Sequence, residues 1–300
     1  MAGPDVDAAD RLTFLQRQAL RGMVKAAQKR PGEPLEPQDW GAYLRFMAQP
    51  SHRALKRMLR ALPSSPRCGY CGAPFAGVGA RLVAPLGFRP SRKNPNLCAT
   101  CVELTPPGGI TLEAGVLFAD LRGFTALSEG ASPQQASALL RRFYAAAEDV
   151  LFPEALIDKL IGDEVMALYL PIFVRPGEPV VHPGPEERKL VAETMLRHAR
   201  DLLARVGYGS AEGPFVGVGI GLDYGEAFVG NIGNRAVYDF TAIGDVVNTA
   251  ARLQGLARGG EAIVSARLAQ HLPEPLGEPE ALTAKGKAEP IGAHRVSWSD

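Results

Sequence analysis

The stretch Asp-Lys-Leu-Ile-Gly-Asp-Glu-Val-Met-Ala-Leu-Tyr, residues 158–169, is the most informative segment of this 300-residue chain. Apolar residues on both sides of Gly162 and Asp163 predict two strands joined by a tight turn. The turn presents the carboxylate of Asp163, four residues after Lys159. The strands of this hairpin are expected over residues 156–159 and 164–170.

A second acid, Asp120, ends the apolar run of residues 115–120. A single Asp at a strand end usually caps a helix or forms a turn. Two such acids beside a glycine loop that opens a helix instead meet the needs of a two-metal site that binds phosphate. The loop amides expected to hold phosphate oxygens belong to Gly123, Phe124 and Thr125.

The charge of the chain is unevenly distributed, although the net value is only +1. Residues 41–102 contain ten Lys and Arg residues and no acid, whereas residues 103–300 contain 17 basic and 26 acidic residues. A basic middle and an acidic C-terminal part predict two functional units that could face each other.

The chain begins without a basic and apolar leader, and no apolar run approaches the roughly 20 residues that span a bilayer. We therefore expect a soluble, cytoplasmic protein. Four cysteines arranged in Cys-x-x-Cys pairs in a reducing compartment are expected to bind a metal rather than form disulfides.

The periodicity of the remaining sequence predicts a helical N-terminal region, residues 1–66, followed by mixed α/β structure. Residues 106–109 have the composition of a linker. An Asp-Tyr-Gly sequence at residues 223–225 is interpreted as a turn between two strands. Helices are expected over residues 9–29, 40–62 with a break near Pro50, 133–152, 185–206 and 244–256, and strands over residues 112–120, 215–222, 226–232, 261–265 and 294–298.

A further constellation lies between residues 240 and 253. Asn248 and Arg252 are four residues apart, so a helix would place them on one face. The small residues of the intervening run, 249–251, would allow a ligand to approach closely. Taken alone, the same pattern equally describes an ordinary helix with a solvated Arg.

Together these segments resemble the class III nucleotidyl cyclase catalytic domain, the adenylate and guanylate cyclase family. The resemblance covers about 180 residues, from about 114 to 296. It is carried jointly and in order by residues 117–125, 158–163 and 238–252. It implies an α+β, ferredoxin-like fold of the βαββαβ type for residues 112–300.

The resemblance also implies roles for individual residues. Asp120 and Asp163 would bind two Mg²⁺ or Mn²⁺ ions, and Lys159 and Thr241 would read the purine edge. A lysine and a hydroxyl suit adenine, because guanylate cyclases place an acid and a smaller residue at these positions. Asn248 would orient the ribose, Arg252 would stabilise charge on the α-phosphate, and Lys285 or Lys287 would bind the β- and γ-phosphates.

The reaction implied is conversion of ATP to 3′,5′-cyclic AMP and pyrophosphate. In this family the metal-binding acids face the Lys, Thr, Asn and Arg residues of another subunit, so the resemblance implies a head-to-tail homodimer. Arg122 and Asp245 fall within the family's range and are assigned no role.

Three alternative functions share part of this pattern. A diguanylate cyclase also presents Gly-Asp-Glu between two strands, but has no place for Thr241, Asn248 and Arg252. A guanylate cyclase is opposed by Lys159. The third alternative is a zinc-ribbon binding protein whose cyclase-like domain senses nucleotide with little turnover.

The four cysteines, Cys68, Cys71, Cys98 and Cys101, define a small module over residues 67–105. Gly72 permits a tight knuckle that points amides at thiolates, so one Zn²⁺ is the leading prediction and an iron–sulfur cluster is the alternative. We expect the module to regulate the enzyme. Its basic surroundings, residues 41–102, could dock on the acidic domain or a regulatory protein, or bind anionic lipid or nucleic acid.

Overall fold

The structure is a computed structural model. It describes residues 12–47, 49–63, 66–92, 94–152, 154–171, 182–233, 238–284, 286 and 289–298. The chain forms two compact units that do not follow its linear order. The first comprises residues 1–112, 176–181 and 228–242, and the second comprises residues 113–175, 182–227 and 243–300.

The first unit contains the N-terminal helices and the cysteines. A capping box between Thr13 and Gln16 opens the first helix. The predicted break near Pro50 is confirmed, because one helix ends at Met47 and the next begins at Pro50 as its first residue. The helices of this unit are α1 (Phe14–Ala26), α2 (Trp40–Met47), α3 (Pro50–Ala61), α4 (Gly77–Val83) and α5 (Ala99–Val102).

The main sheet, most of which belongs to the second unit, has the strand order β2-β3-β1-β4-β6-β8-β7, and β5 pairs with β4 beside this path. The strands are β1 (Gly109–Leu121), β2 (Leu156–Ile161), β3 (Glu164–Tyr169), β4 (Val218–Gly233), β5 (Tyr238–Ile243), β6 (Glu261–Ser265), β7 (Glu280–Leu282) and β8 (Ile291–Ser297). The helices that accompany them are α6 (Phe124–Gly130), α7 (Pro133–Leu151), α8 (Pro185–Val206), α9 (Asp245–Leu256) and α10 (Ala266–Ala269).

The first part of this sheet confirms the expected ferredoxin-like topology. Its chain order is β1-α7-β2-β3-α8-β4, and β1 lies between β3 and β4. The predicted hairpin of β2 and β3 is antiparallel, as is the pairing of β1 with β3. In that register Asp120 stands opposite Glu164, which brings the end of β1 to the tip of the hairpin.

Burial of apolar side chains explains the layers of the second unit. Leu117 and Ala119 of β1 pack with Phe143 of α7 and Met195 of α8 in one buried cluster. Gly115 permits a close approach, because a Cβ built there would lie 2.2 Å from Sδ of Met195. Helix α8 therefore lies close against the central strand, which fixes the position of Asp120 at that strand's end.

The turn predicted at residues 223–225 is wrong, since β4 runs without interruption through these positions. Asp223 is fully buried rather than exposed at a turn. Its carboxylate accepts hydrogen bonds from Ser265 Oγ, at 2.6 Å, and from the guanidinium of Arg267. An acid that looks like a turn signal in sequence is thus a buried, charge-paired residue of a central strand.

Several short elements were not predicted, namely α4, α5, β5, β7 and α10. The segment over residues 106–109 was expected to be a linker, but Pro106 is buried and accepts a hydrogen bond from Asn231 of β4 at 2.9 Å. No helix in the part of the chain that the structure describes is long and apolar enough to cross a bilayer.

Candidate active site and cysteine cluster

Two strand ends bring Asp120 and Asp163 together in the second unit. The backbone N–H of Leu121 donates to the carbonyl of Asp163 at 3.3 Å. The two carboxylates are close enough for the charge of Asp163 to raise the pKa of Asp120. Gly162 permits this turn through its left-handed backbone, with φ +64°. Its carbonyl accepts a hydrogen bond from the hydroxyl of Tyr144 on α7, which was not predicted to support the site.

The electrostatics of this carboxylate pair are unfavourable without a cation. Burial and the adjacent charge of Asp163 raise the pKa of Asp120 to about 6. Burial, followed by the charges of Asp120 and Asp163, raises the pKa of Glu164 to about 7. Carboxylate oxygens are the ligands that Mg²⁺ and Mn²⁺ prefer, and a bound cation would offset this repulsion. The residues present therefore fit a divalent metal.

Arg122 is a residue of this site that the sequence reasoning missed. Its Nη2 lies 3.6 Å from Oδ2 of Asp120 and donates to the carbonyl of Gln254 on α9 at 3.1 Å. The Gln254 side chain counteracts the rise of the pKa of Asp120, although its own buried Nε2 has no hydrogen-bond partner. The Arg122 guanidinium thus connects the carboxylate of Asp120 to the backbone of α9.

The glycines of residues 217–221 make room for these contacts. A Cβ on Gly219 would lie 2.6 Å from Nε of Arg122, and a Cβ on Gly221 would lie 2.2 Å from the carbonyl oxygen of Ala250. The alternate glycines of β4 therefore admit the Arg122 side chain and then the backbone of α9. This close packing explains why glycines occupy these positions.

Lys159 lies on β2 beside an irregularity in strand pairing. The register of β2 and β3 shifts between Ile157 and Lys159, which leaves Asp158 as the extra residue of a bulge. Asp158 is fully buried, and its Oδ2 lies 3.9 Å from Nζ of Lys159. About a quarter of the Lys159 side chain is exposed. The bulge therefore leaves a partly accessible lysine near the start of the hairpin.

The loop after Asp120 has the expected form. Gly123 is the N-terminal capping residue of α6 and adopts φ +73°, and the helix begins at Phe124. Phe124 packs against the main apolar cluster, whereas Gly123 and Thr125 are exposed. The side chain of Phe124 thus anchors a loop whose other residues face solvent.

Helix α9 carries Asn248 and Arg252 on its exposed side. Gln254, whose carbonyl accepts from Arg122 beside Asp120, is buried on the same helix. Residues two positions apart on a helix are separated by about 200° around its axis. Arg252 therefore lies on the side of α9 opposite Gln254. The structure therefore does not turn Arg252 toward the carboxylate pair of its own chain.

Arg252 lies beside the segment expected to bind phosphate. A Cβ built on Gly286 would lie 3.4 Å from Nη2 of Arg252. Lys285 and Lys287 flank this glycine, but both lie outside the described residues. The phosphate-binding role that the family resemblance implies for this segment stays a prediction.

Thr241 belongs to the first unit, on β5. It is buried, as are its neighbours Phe240 and Ala242. The carbonyl of Phe240 accepts a hydrogen bond from Nδ2 of Asn94 at 3.2 Å. The residue expected to read the purine edge therefore lies in the same compact unit as the cysteines.

The four cysteines form one buried cluster whose sulfur atoms all lie within 4.8 Å of one another. Cys71 and Cys98 Sγ are 3.7 Å apart, close to the roughly 3.8 Å that tetrahedral geometry with Zn–S bonds of about 2.3 Å requires. Cys68 Sγ accepts hydrogen bonds from the backbone N–H groups of Cys71 and Cys98, at 3.5 and 3.2 Å. Such amide donors stabilise thiolates, so the cluster fits a metal ion.

Two basic side chains of residues 41–102 are engaged inside the first unit. Lys56 Nζ lies 3.5 Å from the centre of the Tyr70 ring. Arg67 donates to the carbonyls of Leu62 and Gly72 at 2.7 and 3.0 Å. Some of the positively charged side chains of this region therefore stabilise the first unit itself.

Comparison with known proteins identifies curated relatives of this chain. An adenylate cyclase of Anabaena cylindrica is 28% identical over 212 residues, which cover 64% of this chain and 40% of that protein. An uncharacterized protein of Mycobacterium tuberculosis is 32% identical over 168 residues, which cover 55% of this chain and 28% of that protein. The chain thus spans less than half the length of the curated relatives it matches.

Solved structures share the fold. The adenylyl cyclase CyaB from P. aeruginosa superposes with a TM-score of 0.50 at 23% identity, covering 62% of this chain and 94% of that one. The catalytic core of a rhodopsin-guanylyl cyclase with converted specificity gives 0.50 at 22% identity, covering 63% and 98%. Residues 111–292 match the family model of the adenylate and guanylate cyclase catalytic domain. With more than half of its residues in that match, the chain belongs to the adenylate and guanylate cyclase catalytic domain family.

Proposed function

We propose that this protein is an adenylate cyclase that converts ATP to 3′,5′-cyclic AMP and pyrophosphate. The observation that carries the proposal is the carboxylate pair of Asp120 and Asp163, held together at the ends of β1 and the β2–β3 hairpin. The preference for ATP rests on Lys159 and Thr241, a cation and a hydroxyl at the positions that read the purine in this family.

In the reaction, the ribose 3′-oxygen forms a bond to the α-phosphorus and the bond from that phosphorus to the β-phosphate oxygen breaks. Pyrophosphate leaves, and the 3′-hydroxyl proton passes to solvent. Asp120 and Asp163 would hold two Mg²⁺ or Mn²⁺ ions, which would supply positive charge at the nucleophile and the triphosphate. Arg252 stabilises the charge that develops on the α-phosphate, and Asn248 orients the ribose.

The active species is a head-to-tail homodimer. Asn248 and Arg252 lie on the exposed side of α9, whereas Arg122, 3.6 Å from Asp120, donates to the carbonyl of the buried Gln254 on the same helix. One chain therefore offers its metal ligands and its transition-state arginine on different sides of α9. A second copy in the reverse orientation supplies each missing half, so both halves of every site come from different subunits.

The cysteine cluster holds one Zn²⁺ ion. Sulfur atoms this close to one another leave no room for several irons and bridging sulfides, which favours a single tetrahedral ion over a cluster. Gly- and Pro-rich residues around the cysteines give a small unit that needs a metal for stability. A reducing compartment, such as the cytoplasm, would keep the four thiols available for the ion.

Reversing the charge of Lys159 tests the choice of purine. We expect Lys159→Glu to lower kcat/KM for ATP by about 10²-fold, because a charged hydrogen bond to the base is lost and an acceptor replaces the donor. The ratio of GTP to ATP turnover should rise. The measurement is steady-state kinetics with each nucleotide at saturating Mn²⁺.

Lys25→Glu is the matched control, since it makes the same charge change on an exposed position of α1. It should leave both kinetic constants near wild type. Equal losses for ATP and GTP in Lys159→Glu would contradict a role in purine selection, and a wild-type preference for GTP would favour the guanylate cyclase alternative.

A further inference from the structure

The cysteine module contacts the strand that carries Thr241. The segment involved is the arm, defined as residues 228–233 and 238–242, which belongs to the same compact unit as residues 1–112. The arm is continuous in sequence with the catalytic domain, yet it packs on residues that precede that domain. This arrangement raises the question of what the module does for the arm.

The most direct contact comes from the loop between the two cysteine pairs. Asn94 is 2% exposed, and its Nδ2 donates to the carbonyl of Phe240, the residue before Thr241. Four residues after Asn94, Cys98 enters the metal cluster, and its N–H donates to Cys68 Sγ. The Asn94 loop is bound to the first knuckle as well, because Gly69 N–H donates to the Asn96 carbonyl at 2.8 Å. The geometry of the knuckles therefore determines where Asn94 lies.

A second route runs through buried aromatic rings. The Tyr43 hydroxyl donates to the carbonyl of Cys101 at 2.8 Å. Its ring meets Trp40 edge to face, with centroids 5.3 Å apart, and Trp40 stacks on Phe240 at 6.1 Å. Trp40 is 1% exposed, and its indole N–H donates to the carbonyl of Pro107. A metal ligand is thus connected to Phe240 by closely packed side chains with little freedom to move.

The base of the arm is fixed to the same unit. Asn231 Nδ2 donates to Thr105 Oγ1 and to the Pro106 carbonyl, at 2.8 and 2.9 Å, and its N–H donates to the Gly108 carbonyl. A Cβ on Gly230 would lie 2.3 Å from Cα of Gly109. The arm therefore rests on the segment that directly follows the last cysteine, in addition to Asn94 and Trp40.

The cysteine module cannot keep this geometry equally well without its ion. The four thiols are buried, and their sulfur atoms lie within 4.8 Å of one another. Without the ion the two cysteine pairs would lose the metal–sulfur bonds that join them. Binding energy of a structural metal is folding energy for the segment that binds it.

We propose that the metal ion of the cysteine cluster positions Thr241, through Asn94 and through Tyr43 and Trp40, so that metal occupancy regulates nucleotide selection. This inference rests on the proposed function only for the role of Thr241 in purine selection. The physical connection between the metal ion and Thr241, the mechanical link, does not depend on that function. Loss of the ion loosens β5 and leaves the carboxylate pair of the second unit in place. The enzyme then keeps its metal ligands for catalysis and loses discrimination between purines.

Two measurements that need no catalysis test the link. Trp40 and Trp298 are the two tryptophans of the chain, so Trp298→Phe leaves Trp40 as the only indole. In this full-length variant, the cysteine metal is first identified by elemental analysis, then removed with a mercurial reagent and a chelator, and restored with Zn²⁺. We expect Trp40 emission to shift to the red on removal and to return on restoration.

Amide hydrogen exchange of the full chain shows which segments become more mobile when the metal is removed. Exchange across residues 238–242 should rise at least about tenfold when the metal is removed, whereas β3 should be unaffected. Unchanged exchange at residues 238–242, in protein shown to have lost its metal, would overturn the proposal. A rise of equal size in β3 would also overturn it, because general unfolding would then explain the result.

Asn94→Ala distinguishes the effect of losing the hydrogen bond to Phe240 from the effect of losing the metal. It removes the donor to Phe240 and retains all four cysteines, so we expect faster exchange at Thr241 and a smaller ATP-to-GTP preference at wild-type metal content. Thr100→Ala is the matched control, because it removes a hydrogen bond to Gly87 within the module and none to the arm. Identical behaviour of the two variants would contradict the assigned route. If exchange responds to metal but the metal-loaded protein forms no cyclic nucleotide, the proposed function fails while the mechanical link stands.

Discussion

Asp163→Asn is expected to reduce kcat by about 10³-fold or more with either Mg²⁺ or Mn²⁺. The substitution preserves the size of the side chain and removes one of the two charges that the divalent ions require. It also removes the neighbour whose charge contributes to the raised pKa of Asp120. Stability should therefore stay the same or increase while activity is lost, and the measurements are kcat across a metal titration and thermal unfolding.

Asp201→Asn is the matched control for this substitution. Asp201 is 41% exposed on α8, where its carboxylate forms a 3.5 Å ion pair with the surface residue Arg200. Surface pairs of this kind contribute little, so activity should stay near wild type. Retention of more than about a tenth of wild-type kcat by Asp163→Asn would contradict the two-metal chemistry, since that chemistry depends on both carboxylates.

Mixing two inactive variants is expected to restore activity. Asp120→Asn removes a metal ligand and Arg252→Ala removes the transition-state cation, so each homodimer should lose about 10²-fold or more of its activity. A mixed head-to-tail dimer would contain one site with both defects and one intact site. With random exchange of subunits, half the dimers are mixed, and the mixture should recover about a quarter of wild-type activity.

The complementation result distinguishes a shared site from a site within one chain. If Asp120 and Arg252 of the same chain acted together, no combination of the two variants would contain an intact site, and activity would stay at the sum of the two homodimers. Mixing Asp120→Asn with Asp163→Asn is the control, because both substitutions affect the same half-site. That mixture should remain inactive under the same exchange conditions.

Local patterns were sufficient to predict much of the second unit. The alternation of apolar residues around Gly162 predicted the β2–β3 hairpin, and the apolar run that ends at Asp120 predicted β1. The helix breaks at Pro50 and Pro133 follow from the missing N–H of proline, which the first turn of a helix tolerates. These features depend on neighbours in sequence, so a sequence can show them.

Features that depend on distant residues could not be predicted. The Asp-Tyr-Gly sequence at residues 223–225 has the composition of a turn, but the partner that makes Asp223 a strand residue, Arg267, lies 44 positions away. Arg122 was assigned no role, because its space is provided by Gly219 and its acceptor by Gln254. The alternate glycines of β4 were the available signal, since they indicate a close approach by some other group.

The packing of the arm on the cysteine module was equally invisible in the sequence. Asn94 and Phe240 are 146 residues apart, and nothing in the spacing of either segment relates them. The sequence predicted the metal ligands from their Cys-x-x-Cys spacing and Thr241 from a family resemblance. Only the folded chain brings the two into one compact unit.

The measurement that tests the central claim most directly is product identification with purified wild-type protein. ATP and GTP are supplied separately with Mn²⁺ and with Mg²⁺, and Asp120→Asn serves as the blank. We predict cyclic AMP and pyrophosphate from ATP, at least about tenfold less product from GTP, and neither product from the variant. Cyclic GMP as the main product, or no product from a confirmed dimer with its cysteine metal intact, would contradict the assignment of this protein as an adenylate cyclase.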